Sequence, residues 1–244
     1  MLILAGLGLN EKSLTLEELE EAKKCEELYV ETYTNLWEGN IENIEKIVGK
    51  KIEIVGRKEL EESSDKIVER AKEKNIIIFV PGDPLVATTH ASLIVEAIKR
   101  NVKYKVLHNA SIISSIFKAG IHPYKVGGIV TIPFRYRTSK KPISVFKIIK
   151  RNLKNKLHTI CLLDIDLEKG EIMSLKDALN FLIQVGLKKK HKIIVASNIG
   201  TSKEKILFRS IEDLYNLQLE PPITIVVPGS LHFTEKEFLE LLST

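Results

Sequence analysis

Two stretches combine glycine, proline and polar residues at the ends of apolar runs, where α/β proteins most often place their chemistry. In FVPGDPLVATTHASL, residues 79–93, two prolines stiffen the loop that follows an apolar run. Gly82 permits a tight turn, and Asp83 sets a carboxylate at the strand end, where it needs a polar partner. Thr88 or Thr89 is expected to cap the helix that follows. GLGL, residues 6–9, comes directly after the first apolar run, the position of a nucleotide-binding glycine loop. The third glycine of the dinucleotide fingerprint is absent: Lys12 stands at that offset, and the next helical pattern starts too late to aim its N-terminus at a pyrophosphate. The loop suits close backbone approach to an uncharged group such as a nucleoside. An echo links the two halves, since IIIFVPGD ends at Asp83 and ITIVVPGS ends at Ser230. Two such loops, one per domain, are expected to face a cleft, although Pro-Gly is also ordinary turn punctuation.

Other reaction signatures are missing. The sequence has no GxxxxGK[ST], and GTSK at residues 200–203 has the wrong order for a phosphate-gripping loop. HExxH and GxSxG are absent, and the six histidines show no metal-ligand spacing. Cys25 and Cys161 lie far apart and form no CxxC, which argues against a disulfide framework or a structural zinc site. Hydrolysis, redox chemistry and metal catalysis therefore lack visible residues, and no metal is expected.

With 244 residues, 44% apolar and 28% charged, the chain has an ordinary globular composition and the length of two modest α/β domains. No apolar run approaches the ~20 residues needed to span a bilayer. MLILAGLGLNEK has neither a basic n-region nor a cleavage site, so a cytoplasmic protein is expected. The charge is unevenly spread. Residues 97–163 hold 15 of the 37 basic residues and none of the 32 acidic ones, which leaves 22 basic against 32 acidic residues elsewhere. Such asymmetry suits a face that meets an anionic partner, or a set of basic side chains whose acidic partners come from other parts of the fold. Within it, RYRTSKKP (residues 135–142) reads as a mobile basic loop, with Arg135, Arg137, Lys140 and Lys141 as candidates to steer an anionic macromolecule.

Elements that position these residues follow from periodicity. In the first half, residues 2–6, 28–31, 52–55, 76–80 and 104–107 read as strands, and residues 14–24, 65–74 and 88–100 as helices. Repeated βα units predict a mostly parallel sheet with helices on both faces. In the second half the strands are expected at residues 129–133, 159–164, 192–197, 205–209 and 223–227, and the helices at residues 143–153, 174–185 and 234–241. Ser174 and Thr234 suit N-cap positions. The domain boundary is expected near residues 107–111, giving an N-terminal α/β domain, residues 1–108, and a mixed α/β domain, residues 109–244.

With these motifs in view, the sequence resembles the tetrapyrrole-methylase superfamily and, within it, the diphthine synthase family. The resemblance rests on GLGL, ETYT at residues 31–34, GDPLVATTHASL, HNASI at 108–112, LLDI at 162–165, MSL at 173–175 and PGSLHFTEKEFL at 228–239, in the family's order and across almost the whole chain. It implies two α/β domains with an interdomain cofactor cleft, a homodimer, and an S-adenosylmethionine-dependent methyltransferase that releases S-adenosylhomocysteine. Carried over position by position, the cofactor contacts would be Leu9 of GLGL, Asp83 and Val86 of GDPLV, Ser111 and Ile112 of HNASI, and Leu163 of LLDI. Ile199, just before Gly200, and His232 of PGSLH complete the set. The acceptor would be the amino group of a modified histidine, 3-amino-3-carboxypropyl-histidine, on elongation factor 2, with no membrane and no stable nucleic-acid partner. RYRTSKKP stands where many relatives carry a Trp-Pro pair, so the sequence departs from the family there.

Methyl transfer also explains the missing catalytic signatures. A sulfonium methyl is already activated, and an α-amino group titrates near pH ~8, so an appreciable fraction of it is a free nucleophile at physiological pH. Alignment then does most of the work, and no dedicated base is required; catalytic residues are not identified. Methylation of a tetrapyrrole or of RNA on the same fold, and a non-catalytic nucleoside- or RNA-binding module, are the alternative readings.

Overall fold

A computed structural model describes residues 1–137 and 143–242. The chain divides into two compact units, Met1–Ile112 and Ile113–Thr244. The first alternates strand and helix: β1 (Leu2–Gly6), α1 (Leu16–Lys24), β2 (Glu27–Glu31), α2 (Ile41–Val48), β3 (Glu53–Val55), α3 (Ser64–Arg70), β4 (Ile76–Val80), α4 (Ala91–Lys99) and β5 (Tyr104–Leu107). All pairs in its sheet are parallel, in the order β3-β2-β4-β1-β5. All five residues of β1 and of β4 are buried, as near-continuous apolar runs between two helical layers must be.

The path through this sheet matters for function. From β1 the chain steps towards the β3 edge, then returns to β4 and crosses to β5. Right-handed crossovers put the helices of the outward and return paths on opposite faces. The core follows that rule. Ile3, Ala5, Ile77 and Phe79 pack with Ala22 of α1 and with Ile44 and Val48 of α2. Leu2, Leu4, Ile76 and Ile78 pack with Ile67 and Val68 of α3 and with Leu93 and Ala97 of α4. The neighbouring strands β1 and β4 therefore send their following loops to opposite faces, which opens a crevice outside their carboxyl ends.

Several boundaries differ from expectation for identifiable reasons. α1 begins at Leu16 because Thr15 forms a capping box with Glu18. α4 begins only at Ala91, and neither Thr88 nor Thr89 caps it. The Thr88 hydroxyl donates to Pro84 O at 2.6 Å and that of Thr89 to Glu61 at 2.8 Å. Ala87 sits at φ +58°, incompatible with a helix there. α2 was not expected; Asn40 caps its start and Gly49 its end, in the left-handed region.

The second unit contains α5 (Ile112–Ser115), which starts on the last residue of the first, then β6 (Val130–Ile132), α6 (Ile143–Lys154), β7 (Thr159–Leu163) and the small hairpin β8 (Ile165–Asp166) and β9 (Glu171–Ile172). It continues with α7 (Leu175–Gln184), β10 (Lys192–Ser197), β11 (Lys205–Ser210), α8 (Ile211–Leu214), β12 (Ile223–Val227) and α9 (Phe233–Leu241). The sheet order is β11-β10-β12-β7-β6, and only β6 with β7 is parallel. Cys161, Ile193, Val195, Ile225 and Val227 on one face pack with Val145 and Ile149 of α6 and Leu179 and Leu182 of α7. Ser174 caps α7 as expected, whereas α9 is capped by His232 rather than by Thr234. Of the expected mobile loop, residues 135–137 form a short 3-10 turn, and residues 138–142 lie outside the described residues.

Candidate functional site

The crevice of the first unit is built from the loops after β1, β4 and β5. Gly8 N donates to Gly82 O at 3.1 Å and Gly82 N to Gly8 O at 2.9 Å, so GLGL and PGDP are stitched together by backbone. Both glycines have positive φ, +63° and +76°, which L-residues with side chains rarely adopt. Gly6 is required for a different reason: a Cβ there would lie 2.5 Å from Gly82 O and 2.7 Å from Asn109 Cβ. Leu9, Val86 and Ile112 are half-buried at this end of the sheet, and Ser111 is buried.

Asp83 is 5% exposed and its polar partners lie within the chain. Oδ1 accepts from Leu85 N at 2.9 Å; Oδ2 lies 2.8 Å from His108 Nδ1 and accepts from Asn109 N at 3.3 Å. A carboxylate offers about four lone-pair sites, so it clamps the β4 and β5 loops and keeps room for one further donor. Two buried glutamates also shape this end of the sheet. Glu31, at the end of β2, accepts from Tyr33 N at 2.9 Å, from Thr34 N at 3.0 Å and from the Thr34 hydroxyl, which folds ETYT back on its own strand. Glu18 accepts from Thr15 N at 2.6 Å and from Asn109 Nδ2. Burial pushes both carboxyls above the usual range, against the pull of these hydrogen bonds. No partner for either glutamate was visible in the sequence; its signals were that Glu31 sits inside ETYT and Asn109 inside HNASI.

In the second unit the strand directions sort the expected residues. Leu163 ends β7, and Ile199, 7% exposed, follows β10. β12 runs antiparallel to both strands, so its first residues share their end of the sheet. Asn198 N donates to Pro222 O at 3.0 Å there. The loop after β12, with His232, lies at the opposite end, roughly 13 Å away along β7 at strand rise. His232 is thus not gathered with Leu163 and Ile199, and neither is the second VPG loop. The antiparallel connection turns it away. Its imidazole accepts from Thr234 N as the cap of α9, and its Nδ1 lies 2.8 Å from the Thr234 hydroxyl. The start of β12 is the part of this end that sequence reasoning missed.

What holds the His232 loop is a fully buried carboxylate. Glu235 accepts from His122 N, His232 N and Lys125 Nζ at 2.7 Å each and from His158 Nε2 at 3.0 Å. Burial alone would raise its carboxyl; the donors, Lys125 foremost, outweigh that and bring it down to about 2. His158 Nδ1 accepts from Gly229 N at 3.0 Å, which leaves the proton on Nε2, and burial holds its basicity below the ordinary value.

The acid-free stretch finds acidic partners elsewhere in the fold. Arg100 pairs with Glu69 and Glu96, Lys105 with Glu17 and Glu21, Lys118 with Glu204, and Lys125 with Glu235. Arg137, a candidate for steering, instead bridges Asp164 at 2.8 Å and Asp166 at 2.6 Å, both more than nine-tenths buried. Lys140 and Lys141 lie outside the described residues. Among the described residues no cluster of His, Cys, Asp or Glu has a metal-holding arrangement, and no helix is long and apolar enough to cross a membrane.

A parallel α/β unit with glycine loops at its switch point, followed by a mixed-sheet unit, matches the model of the Tetrapyrrole (Corrin/Porphyrin) Methylases over residues 1–215. The diphthine synthase of Methanocaldococcus jannaschii is 38% identical over 99% of this chain and 98% of its own, and that of Methanococcus vannielii 37% identical over 99% and 98%. A crystal structure of diphthine synthase superposes with a TM-score of 0.89 at 32% identity, covering 99% of this chain and 95% of that one. The chain belongs to the diphthine synthase family of these methyltransferases.

Proposed function

We propose that the protein binds S-adenosylmethionine at the β1–β4 crevice and methylates the amino group of 3-amino-3-carboxypropyl-histidine on elongation factor 2, giving diphthine and S-adenosylhomocysteine. The observation that carries this reading is the stitched GLGL–PGDP pair at the switch point, in a chain similar to diphthine synthases along its whole length. The residues fit a nucleoside-bearing cofactor. Positive-φ glycines let a ligand approach the backbone, half-buried Leu9, Val86 and Ile112 offer apolar walls, and Asp83 holds two loops in register with one lone pair to spare. Ser111 adds a buried hydroxyl, and in the second unit Leu163 and Ile199 are the residues assigned to the same cofactor.

The bound cofactor supplies a methyl group activated by its sulfonium. The protein's part is to hold amine, methyl and sulfur in line and to exclude water, and orientation of this kind is worth up to ~7–11 kcal/mol. An amine that titrates near ~8 needs only its free-base fraction, so the chain has no strong base to provide. The active form is assigned as a cytoplasmic homodimer, without a metal and without a stable nucleic-acid partner. The test is transfer of labelled methyl from S-adenosylmethionine, with elongation factor 2 bearing the precursor histidine, uroporphyrinogen and bulk RNA offered in parallel. Label entering elongation factor 2 alone is the expected result; label in either of the others refutes the substrate assignment.

A further inference from the structure

We propose that Asn109 is a positioning residue of the crevice: its side chain sets the GLGL loop against the turn into Ser111–Ile112, and its backbone N ties that turn to Asp83 of the PGDP loop. The inference rests on the crevice being the cofactor site. Its amide Nδ2 lies 3.0 Å from Gly6 O and 3.0 Å from Ser13 O, the two ends of the loop that carries Gly8 and Leu9. The same nitrogen is 3.2 Å from both oxygens of Glu18, a fully buried carboxyl on α1. On the other side of the amide, Oδ1 accepts from Ala110 N at 2.7 Å, which fixes the turn into Ser111. The backbone N of Asn109 donates to Asp83 Oδ2 at 3.3 Å. A Cβ on Gly8 would sit 2.9 Å from Oδ1, so the glycine loop is closed against this side chain.

The chemistry specifies asparagine. Nδ2 has two hydrogens and faces four oxygens, while Oδ1 faces an N–H, so donor and acceptor cannot be exchanged. An aspartate in its place would bring a second carboxylate against Glu18, whose carboxyl burial already pushes upward. Two such groups at hydrogen-bond distance share a proton only when the medium supplies one. The other charged groups around the pair are Glu17 on α1, and Asp83 and His108 at the ends of β4 and β5.

The experiment is calorimetric titration of S-adenosylmethionine into Asn109→Asp, the double variant Asn109→Asp with Glu18→Gln, and Leu9→Glu, at about pH 8 and about pH 5.5. Asn109→Asp is expected to lose affinity by about tenfold or more at the higher pH, as suits a lost charge-assisted contact, and to regain part of it at the lower, where a protonated carboxyl returns one of the two donor hydrogens. The added Glu18→Gln restores a donor facing the new carboxylate and should recover part of the affinity at both pH values, the rest being lost with the contacts to Gly6 O and Ser13 O. Wild-type affinity in Asn109→Asp, with Leu9→Glu impaired, overturns the proposal and leaves the crevice in place. A loss that neither acid nor Glu18→Gln restores even in part overturns it as well. Unchanged binding in Leu9→Glu refutes the crevice reading itself. Should Asn109→Asp fail to fold, Asn109→Ser must raise the KM for S-adenosylmethionine while sparing kcat; a fall in kcat with KM unchanged overturns the proposal.

Discussion

Replacing Glu235 by glutamine keeps the shape of the side chain and removes its charge. Each carboxylate oxygen accepts two hydrogen bonds, one from His122 N and His158, the other from Lys125 and His232 N. Glutamine turns one oxygen into an NH2 group, so whichever way the amide is flipped, two donors face a donor at a fully buried side chain. The carboxyl at about 2, against an ordinary 4.5, corresponds to about 3 kcal/mol of stabilisation of the folded state. Breaking a buried ion pair from one side costs about 3–5 kcal/mol, so the two routes agree. Because the folded value is depressed, this stabilisation is complete above the unfolded value and is lost as pH falls from about 4.5 towards about 2. Burial of neutral His158 acts in the same direction, weakening the fold as pH drops below 6.5. Urea unfolding should show Glu235→Gln destabilised by about 3–5 kcal/mol at neutral pH, with the gap to wild type narrowed by about 2 kcal/mol near pH ~3. A loss under about 1 kcal/mol, or a gap that does not change with pH, refutes the reasoning.

Other outcomes follow from the same geometry. Asp83→Ala should weaken S-adenosylmethionine binding by about tenfold or more in calorimetry, since it frees the β4 and β5 loops from each other. Gly82→Val should be worse, because φ +76° costs a residue with a side chain about 1–2 kcal/mol and the branch obstructs ligand approach. Leu163→Asp should weaken cofactor binding while His232→Ala leaves it intact and lowers stability by about 1 kcal/mol through the lost cap; the opposite pattern would return His232 to the site. Arg137→Gln should cost about 1 kcal/mol of stability, given its one-third exposure, and leave the salt dependence of methylation unchanged; a flatter salt response would restore the steering role.

The parallel sheet of the first unit was legible because its central strands, β1 and β4, are wholly apolar runs that alternate with amphipathic helical stretches. The crevice was legible for the same reason, since GLGL and PGDP end runs that can only be central strands. What period cannot show is direction. Nothing local in ITIVVPGSLH says that β12 runs against β7, so His232 and Leu163 look equally eligible until the antiparallel register separates them. Charge counting left two readings open, and for Arg137 the fold supplies the partners: Asp164 and Asp166 are brought to it by the pairing of β6 with β7. Asn109 and Glu18 are 91 residues apart, and only the fold makes them one contact.

Methylation of one amine on one protein is the activity proposed for this chain. The direct measurement is mass spectrometry of the peptide from elongation factor 2 that carries 3-amino-3-carboxypropyl-histidine, after incubation with the protein and S-adenosylmethionine bearing a deuterated methyl group. A mass gain in whole labelled-methyl increments is expected, with fragment ions placing them on the amino nitrogen, and no gain with Gly82→Val. An unmodified peptide, under conditions where wild-type protein demonstrably binds the cofactor, would contradict it.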